Sequence, residues 1–134
     1  MNNRNVQVII PTNLHSPPET HEIEVAWILA RHYEQNIEFL KPVDDYKRTT
    51  PDFVMGGALW ELKSPDGKSK HNVERQIKRA LKQSRNIIFD GRRTSVSDDV
   101  LISKIKYVSA PRSLIRKLVF ISKDEKVLEL VWKK

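Results

Sequence analysis

The sequence predicts a single α/β domain in which helices flank a central mixed sheet. Short apolar runs alternate with longer amphipathic segments, an order typical of strands and helices that share one sheet. A Gly56-Gly57 pair joins two of the runs as an antiparallel hairpin. The run 86–90 has a continuous apolar interior, as in a parallel strand covered on both faces. A chain of 134 residues is long enough for one such domain, which we assign to residues 1–134.

The first long helix is predicted over about residues 19–35. Apolar residues recur there at the spacing of one helix face, and acidic residues occupy the first turn, where the helix dipole favours them. The strands around this helix are short and are bounded by Pro or Gly. They are residues 6–10, residues 37–40 and the two runs on either side of Gly56-Gly57.

The C-terminal half continues the same pattern. A second helix is predicted over residues 71–85, with an apolar inner stripe and a basic outer side. The turn Gly91-Arg92-Arg93-Thr94 follows the strand 86–90, and its two cations are expected to extend into solvent. Ser97 is expected to cap a third helix over about residues 98–108. The remaining residues form a terminal hairpin with strands at 114–122 and 127–132.

The composition limits the classes of function. Lys and Arg exceed Asp and Glu to give a net charge of +7, so a polyanionic partner is favoured. The absence of cysteine excludes a disulfide framework and a thiolate metal site. No apolar run approaches transmembrane length, and residues 1–10 do not form a signal peptide. We therefore expect a protein that acts in water and has no membrane partner.

The candidate site lies in the hairpin. Side chains alternate along a strand, so Glu61 and Lys63 project to one face while Leu62 projects to the other. The Gly-Gly turn folds the preceding strand back and brings Asp52 beside them. A divalent cation relieves the repulsion between neighbouring carboxylates, and Asp52, Glu61 and the Leu62 carbonyl are oxygen ligands of the kind that Mg²⁺ or Mn²⁺ prefers.

Lys63 suggests which chemistry this site serves. An ammonium group can orient or deprotonate a water, or it can neutralise charge that develops on a phosphate in the transition state. This combination suits the hydrolysis of a phosphodiester. The alternative interpretation is an ordinary surface hairpin with a cross-strand ion pair, because Asp, Glu and Lys are common on such faces.

These residues resemble the PD-(D/E)xK nuclease superfamily, in which Pro51-Asp52 is followed by Glu61-x-Lys63 across the hairpin. The continuation over residues 63–70 and the Gln83-Ser84 pair of the next helix are similar to the C-terminal nuclease domains of contact-dependent growth inhibition toxins, many of which cleave tRNA. The resemblance covers about residues 19–90. It implies a restriction-endonuclease-like fold with the site at a strand end under the first helix.

The resemblance also implies an activity and its requirements. We expect a metal-dependent nuclease that holds one or two Mg²⁺ or Mn²⁺ ions and acts in the cytoplasm. Its leading substrate would be tRNA, with DNA as the alternative. A toxin of this kind would have an immunity protein as a partner, and that partner would be acidic to match the basic surface.

Further site residues are assigned by the resemblance. A glutamate from the first helix reaches the metal in this superfamily, and the matching position is Glu22, with Glu24 as the alternative. Gln83 matches a polar residue near the site, where an amide can donate to a phosphate oxygen. The implied catalytic residues are Glu22, Asp52, Glu61, Lys63 and Gln83, and the implied metal ligands are Glu22, Asp52 and Glu61.

Cations next to the hairpin and along the second helix are expected to bind the nucleic acid backbone. They are Lys68, Lys70, Arg75, Arg79 and Lys82. The same basic helix supports an alternative function, a nucleic-acid-binding module without catalysis. A third class is a protein-interaction domain whose basic face meets an acidic partner. Only the nuclease would cut nucleic acid, so a cleavage assay separates these functions.

Overall fold

Within residues 5–12, 17–41, 50–68 and 72–134, which the computed structural model describes, the chain forms a seven-stranded mixed sheet and three helices. The strands lie in the sheet in the order in which they occur in the chain. Three neighbouring pairs are parallel, namely the first with the second, the fourth with the fifth and the fifth with the sixth. The other pairs are antiparallel. The prediction of an α/β domain with a mixed sheet flanked by helices is confirmed.

The helices are α1 (Thr20–Tyr33), α2 (Asn72–Leu81) and α3 (Asp98–Ser109). The strands are β1 (Val8–Ile9), β2 (Ile37–Phe39), β3 (Phe53–Met55), β4 (Ala58–Lys63), β5 (Asn86–Asp90), β6 (Lys117–Ile121) and β7 (Val127–Trp132). The predicted elements are all present in the described part of the chain, although residue 71 of the second helix lies outside it, and α2 ends earlier than predicted, with residues 82–83 in a turn. No helix in the described part of the chain has the length and apolar character needed to cross a membrane.

Each face of the sheet carries its own apolar core. α1 covers one face, where Leu29 is buried with residues from β2 to β6. α2 and α3 cover the other face, where Ile77 of α2 and Ile105 of α3 are buried with residues of β5 and β6. β5 therefore contributes alternate side chains to both cores, which explains its continuous apolar sequence.

The hairpin register places Asp52 directly beside Glu61. Gly56 and Gly57 have φ values of 60° and 74°, which a two-residue hairpin turn requires and glycine adopts without strain. Phe53 is paired with Trp60, and the Asp52 N–H donates to the Trp60 carbonyl at 2.9 Å. The next pair in this register is Asp52 with Glu61, as the hairpin sequence predicts.

The parallel pairing of β4 with β5 shows which face carries the site. Glu61 is in register with Ile87 and Lys63 with Phe89, and both of those apolar residues pack under α2 and α3. Leu62 belongs instead to the core under α1. Strand alternation therefore directs Glu61 and Lys63 to the face that α2 and α3 cover. The start of α1 still borders the site, because the charge of Glu22 acts on Asp52.

Gly91 sits where β5 and β6 approach closely. A Cβ at this position would lie 2.6 Å from Cζ of the buried Phe120 and 3.1 Å from the Ile121 carbonyl oxygen. We expect Gly91→Ala to lower the free energy of unfolding by about 1–3 kcal/mol, because the core must shift to admit the methyl group. Urea unfolding followed by circular dichroism measures this change.

Phe120→Leu provides the control for this prediction. Replacing the ring removes the atoms closest to the added methyl group, so Gly91→Ala should be less destabilising in the Phe120→Leu background. An equal loss in both backgrounds would contradict the steric explanation.

Candidate active site

Asp52, Glu61 and Lys63 form one group, which we call the carboxylate–lysine cluster. Asp52 Oδ2 accepts a hydrogen bond from the Leu62 main-chain N–H at 2.7 Å, which fixes this carboxylate against β4. The Asp52 and Glu61 carboxyl groups lie within hydrogen-bonding reach of each other. Lys63 Nζ is 3.3 Å from Glu61 Oε2. The structure thus brings together the three hairpin residues that the sequence singled out.

Burial controls the protonation of this cluster. The Glu61 side chain is 4% exposed and that of Lys63 is 18% exposed. Burial and the Asp52 charge raise the pKa of Glu61 to about 8, and Lys63 opposes only part of this change. Burial also raises the pKa of Asp52, although the hydrogen bond from Leu62 acts in the other direction. At neutral pH the two carboxyl groups therefore retain a proton, mainly on Glu61.

The donor atoms of the cluster fit a divalent cation. Glu61 Oε1 is buried and has no hydrogen-bond partner in the described part of the chain, and such an atom is destabilising unless a ligand satisfies it. One or two carboxylates, together with waters and a substrate phosphate, are a usual set of ligands for Mg²⁺. Among the described residues no three His, Asp or Glu side chains are grouped to hold a metal ion. The cluster therefore fits a site built on two carboxylates.

Glu22 lies close to the cluster without joining it. Its Oε1 accepts a hydrogen bond from the Glu19 main-chain N–H at 2.8 Å, so the carboxylate caps the start of α1. Its negative charge still acts on Asp52, which places it at the edge of the cluster. The alternative helix carboxylate, Glu24, is engaged elsewhere, because its Oε1 is 3.2 Å from Arg92 Nη1.

Gln83 lies in the turn after α2. Its N–H donates to the Ala80 carbonyl at 2.9 Å. Ser84 Oγ and Asn86 Nδ2 donate to the Leu59 carbonyl at 2.8 and 3.1 Å, which fixes this turn beside the start of β4. Across the described residues, no hydrogen bond joins the Gln83 amide to the carboxylate–lysine cluster, which occupies the other end of that strand.

Most of the predicted nucleic-acid-binding residues lie on the outer side of α2. Lys68 is exposed in the preceding loop, and Lys70 is outside the described residues. The others line a shallow concavity, which we call the α2 concavity. Its lining residues are Glu74, Arg75, Lys78, Arg79 and Lys82. Because α2 covers the sheet face to which Glu61 projects, this concavity and the cluster lie on the same side of the sheet.

The charges of the α2 concavity are only partly balanced. Glu74 Oε2 is 3.7 Å from Lys78 Nζ and 3.0 Å from Arg112 Nη2, so one carboxylate serves two cations. Arg75 and Arg79, one helical turn apart, form no ion pair with any described residue. Two exposed guanidinium groups on one side of α2 are therefore available to an external anion.

Asp90 and Arg92 form a buried ion pair that was not predicted. Arg92 Nε donates to Asp90 Oδ1 at 2.9 Å and Nη2 donates to Oδ2 at 3.1 Å. The Asp90 side chain is fully buried and that of Arg92 is 11% exposed. The prediction that Arg92 extends into solvent is wrong, because the buried Asp90 carboxylate holds it. An acid at the end of an apolar strand, followed closely by arginine, was the available signal.

Arg93 was also expected to be a solvated cation, but it binds the loop after β4. Its Nη1 donates to the Ser64 carbonyl at 2.9 Å, and its Nη2 is 3.3 Å from Asp66 Oδ2. The Arg93 side chain remains 34% exposed. Arg93 thus holds the loop after β4 while part of its side chain stays in contact with water, whereas Arg92 holds Asp90 and the start of α1.

Comparisons with known proteins identify the family. Residues 48–127, more than half of the chain, match the family described as "Contact-dependent growth inhibition CdiA C-terminal domain". No curated protein matches the chain. A chain of the solved "CdiA-CT/CdiI toxin and immunity complex from Burkholderia pseudomallei" is similar in fold, with a TM-score of 0.63 and 18% identity over 93% of this chain and 98% of that chain. The family match shows that the chain belongs to the contact-dependent growth inhibition CdiA C-terminal domain family.

Proposed function

We propose that this domain is a toxin that hydrolyses phosphodiester bonds in nucleic acid with the help of Mg²⁺ or Mn²⁺. The carboxylate–lysine cluster carries the proposal, because the buried Glu61 Oε1 lacks a protein partner among the described residues and lies beside Asp52 and Lys63. Family membership supports the toxin role. The mixed sheet with helices on both faces supports a restriction-endonuclease-like assignment of the fold.

The chemistry follows from the groups in the cluster. A divalent cation held by Asp52 and Glu61 would polarise a phosphate oxygen and lower the pKa of a water. Lys63 contributes a positive charge in a partly buried position, where it stabilises developing phosphate charge more strongly than it would in water. Its three N–H donors can also orient the attacking water. Glu61 must release its proton before its carboxylate can serve as a ligand.

Two further residues have supporting roles in this proposal. Glu22 adds negative charge near Asp52, which raises the pKa of Asp52 and would also attract a divalent cation. Gln83 would donate its amide N–H groups to a phosphate oxygen if the substrate extends along β4 toward the turn after α2.

Our leading substrate is tRNA, with DNA as the alternative, as the resemblance implies. The net charge of +7 and the α2 concavity support a polyanion that lies on the same side of the sheet as the cluster. The toxin of similar fold from Burkholderia pseudomallei was solved in complex with an immunity protein. We propose an acidic immunity protein for this chain too, and the cytoplasm as its site of action.

A nucleic-acid-binding module without catalysis is the second candidate function. The α2 concavity favours it, because Arg75 and Arg79 face solvent on a strongly basic helix side. This function would leave nucleic acid intact under every metal condition, and it would give the buried Glu61–Lys63 pair only a structural role.

Cleavage assays with Asp52→Asn test the proposal. We expect the wild-type protein to cut total tRNA, or plasmid DNA, with Mg²⁺ or Mn²⁺ and to be inactive with EDTA. Asp52→Asn should lower the rate at least about 100-fold, because it removes one of the two carboxylates that hold the cation, while binding to RNA is retained. Gel assays and filter binding measure the two properties.

Asp66→Asn is the matched control for this assay. Asp66 lies in the loop after β4, is 76% exposed and lies outside the cluster, so its replacement should leave cleavage within about twofold of wild type. Persistent cutting by Asp52→Asn would refute the site, and an intact substrate with wild-type protein would favour the binding module.

The raised pKa of Glu61 predicts that stability depends on pH. The unfolded chain has the ordinary glutamate pKa of 4.5, whereas the folded chain has a value of about 8. Between these values the folded state binds the extra proton, so the free energy of unfolding of the metal-free protein should fall as the pH rises, by the order of a few kcal/mol. Urea unfolding across this pH range measures the slope.

Glu61→Gln is the control for the pH dependence. Glutamine has a similar shape and does not titrate, so this variant should show a shallower fall, with the slope that remains arising from Asp52. In the wild-type protein, Mn²⁺ should reduce the decrease in the free energy of unfolding at higher pH, because the cation replaces the proton. An unchanged slope in Glu61→Gln would contradict the assignment of the raised pKa to this residue.

Removing cations from the α2 concavity should lower the affinity for RNA without lowering the rate of the chemical step. Replacing both Arg75 and Arg79 with Ala should weaken RNA binding and make its salt dependence shallower, by roughly one unit of slope for each lost phosphate contact. Lys104→Ala is the control, because Lys104 lies on α3 with its ammonium over the Tyr107 ring. An equal effect for each charge removed would indicate that only net charge matters.

A further inference from the structure

The guanidinium of Arg92 connects α1 to the sheet. It binds the Asp90 carboxylate through two nitrogens, at 2.9 and 3.1 Å. In α1, its Nη2 donates to the His21 carbonyl at 3.0 Å and its Nη1 donates to Glu24 Oε1 at 3.2 Å. Glu125 Oε2, in the turn between β6 and β7, is 3.8 Å from Nη1. A single planar group thus joins the end of β5 to the start of α1.

The Asp90 carboxylate extends this link to β4. Its Oδ2 accepts a hydrogen bond from Ser64 Oγ at 2.7 Å, and its Oδ1 accepts one from the Arg92 main-chain N–H at 3.0 Å. Ser64 directly follows Lys63, the last residue of β4. The fully buried Asp90 is therefore fixed on one side by the end of β4 and on the other by Arg92.

We propose that Arg92 is a positioning residue for the carboxylate–lysine cluster: through Asp90 and Ser64 it fixes the first turns of α1, which carry Glu22, relative to the end of β4, which carries Glu61 and Lys63. The catalytic part of this inference rests on the proposed nuclease function. The link itself follows from the hydrogen bonds around Arg92.

Directional hydrogen bonds add to the apolar packing that holds α1, because the burial of apolar side chains is not itself directional. Val25, Ala26 and Leu29 hold the helix against the sheet, but such contacts tolerate small sliding movements. The two terminal nitrogens of the Arg92 guanidinium set the direction and register of the start of α1, because charge-assisted hydrogen bonds form only over a narrow range of distances and angles. Lysine has the charge but lacks the fork, so it cannot replace both contacts.

A double-mutant cycle tests whether Arg92 acts through Glu22. We expect Arg92→Lys to lower kcat about tenfold or more, with little change in KM, because Glu22 is misplaced relative to the cluster while the RNA-binding surface is intact. In a Glu22→Gln background the same change should have little further effect, because the carboxylate that it positions is already absent. An equal loss in both backgrounds, or no loss at all, would overturn the proposal.

Glu125→Gln is the matched control. Glu125 approaches the same guanidinium from an exposed turn, at 3.8 Å and with 60% of its side chain accessible, and it belongs to neither α1 nor β4. The kcat of the Glu125→Gln variant should stay within about twofold of wild type. If Arg92→Lys does not fold, Ser64→Ala breaks only the link between Asp90 and β4 and should lower kcat in the same direction, and unchanged turnover in that variant would overturn the proposal.

Amide NMR spectra test the link without any activity. Arg92→Lys should shift the main-chain resonances of Glu22 and Ser64 together, whereas Glu125→Gln should leave both in place. Resonances of Glu22 and Ser64 that do not move in Arg92→Lys would overturn the positioning role. If the wild-type protein cuts neither RNA nor DNA, the proposed function fails while this measurement still decides whether Arg92 positions the two segments.

Discussion

The hydrogen bond from the Leu62 N–H to the Asp52 carboxylate is the constraint on which the candidate site depends. Asp52 precedes β3, and its own N–H still pairs with Trp60 in the ladder. Two residues further along β4, the Leu62 N–H donates to the Asp52 side chain instead of to a main-chain carbonyl. A negative group is thereby fixed where Glu61 projects from the strand. Glu61 is buried and Asp52 is partly buried, so the charge of the pair favours a retained proton or a cation in addition to Lys63.

The centre of the site could be predicted from sequence because its geometry is local. Glu61 and Lys63 are two residues apart on one strand, so alternation alone places them on one face. Asp52 reaches them through a two-residue glycine turn whose register is fixed by its length. The helix over residues 98–109 could be predicted equally well, because its Ser97 cap and its apolar periodicity are both local in the sequence.

The missed features depend on contacts between distant segments. The sequence does not show which face of the sheet α1 covers, because this depends on the packing of Leu62 against residues from many other strands. Arg92 resembles a solvated cation until its partners at residues 21 and 24 are known. Glu22 has two possible uses, a helix cap and a ligand, and only the folded chain shows that the cap is made.

The agreement between sheet order and chain order has a consequence for how this domain assembles. Strands that follow one another in the chain are neighbours throughout the sheet, and contacts of short sequence separation close quickly. The charged centre lies within the hairpin of residues 52–63, whose contacts are local in sequence. The bond from Arg92 to His21 spans 71 positions of the chain and waits until β5 has been added. In a refolding molecule the reactive groups can therefore meet through local contacts, whereas the alignment of α1 with them depends on segments that are distant in the chain.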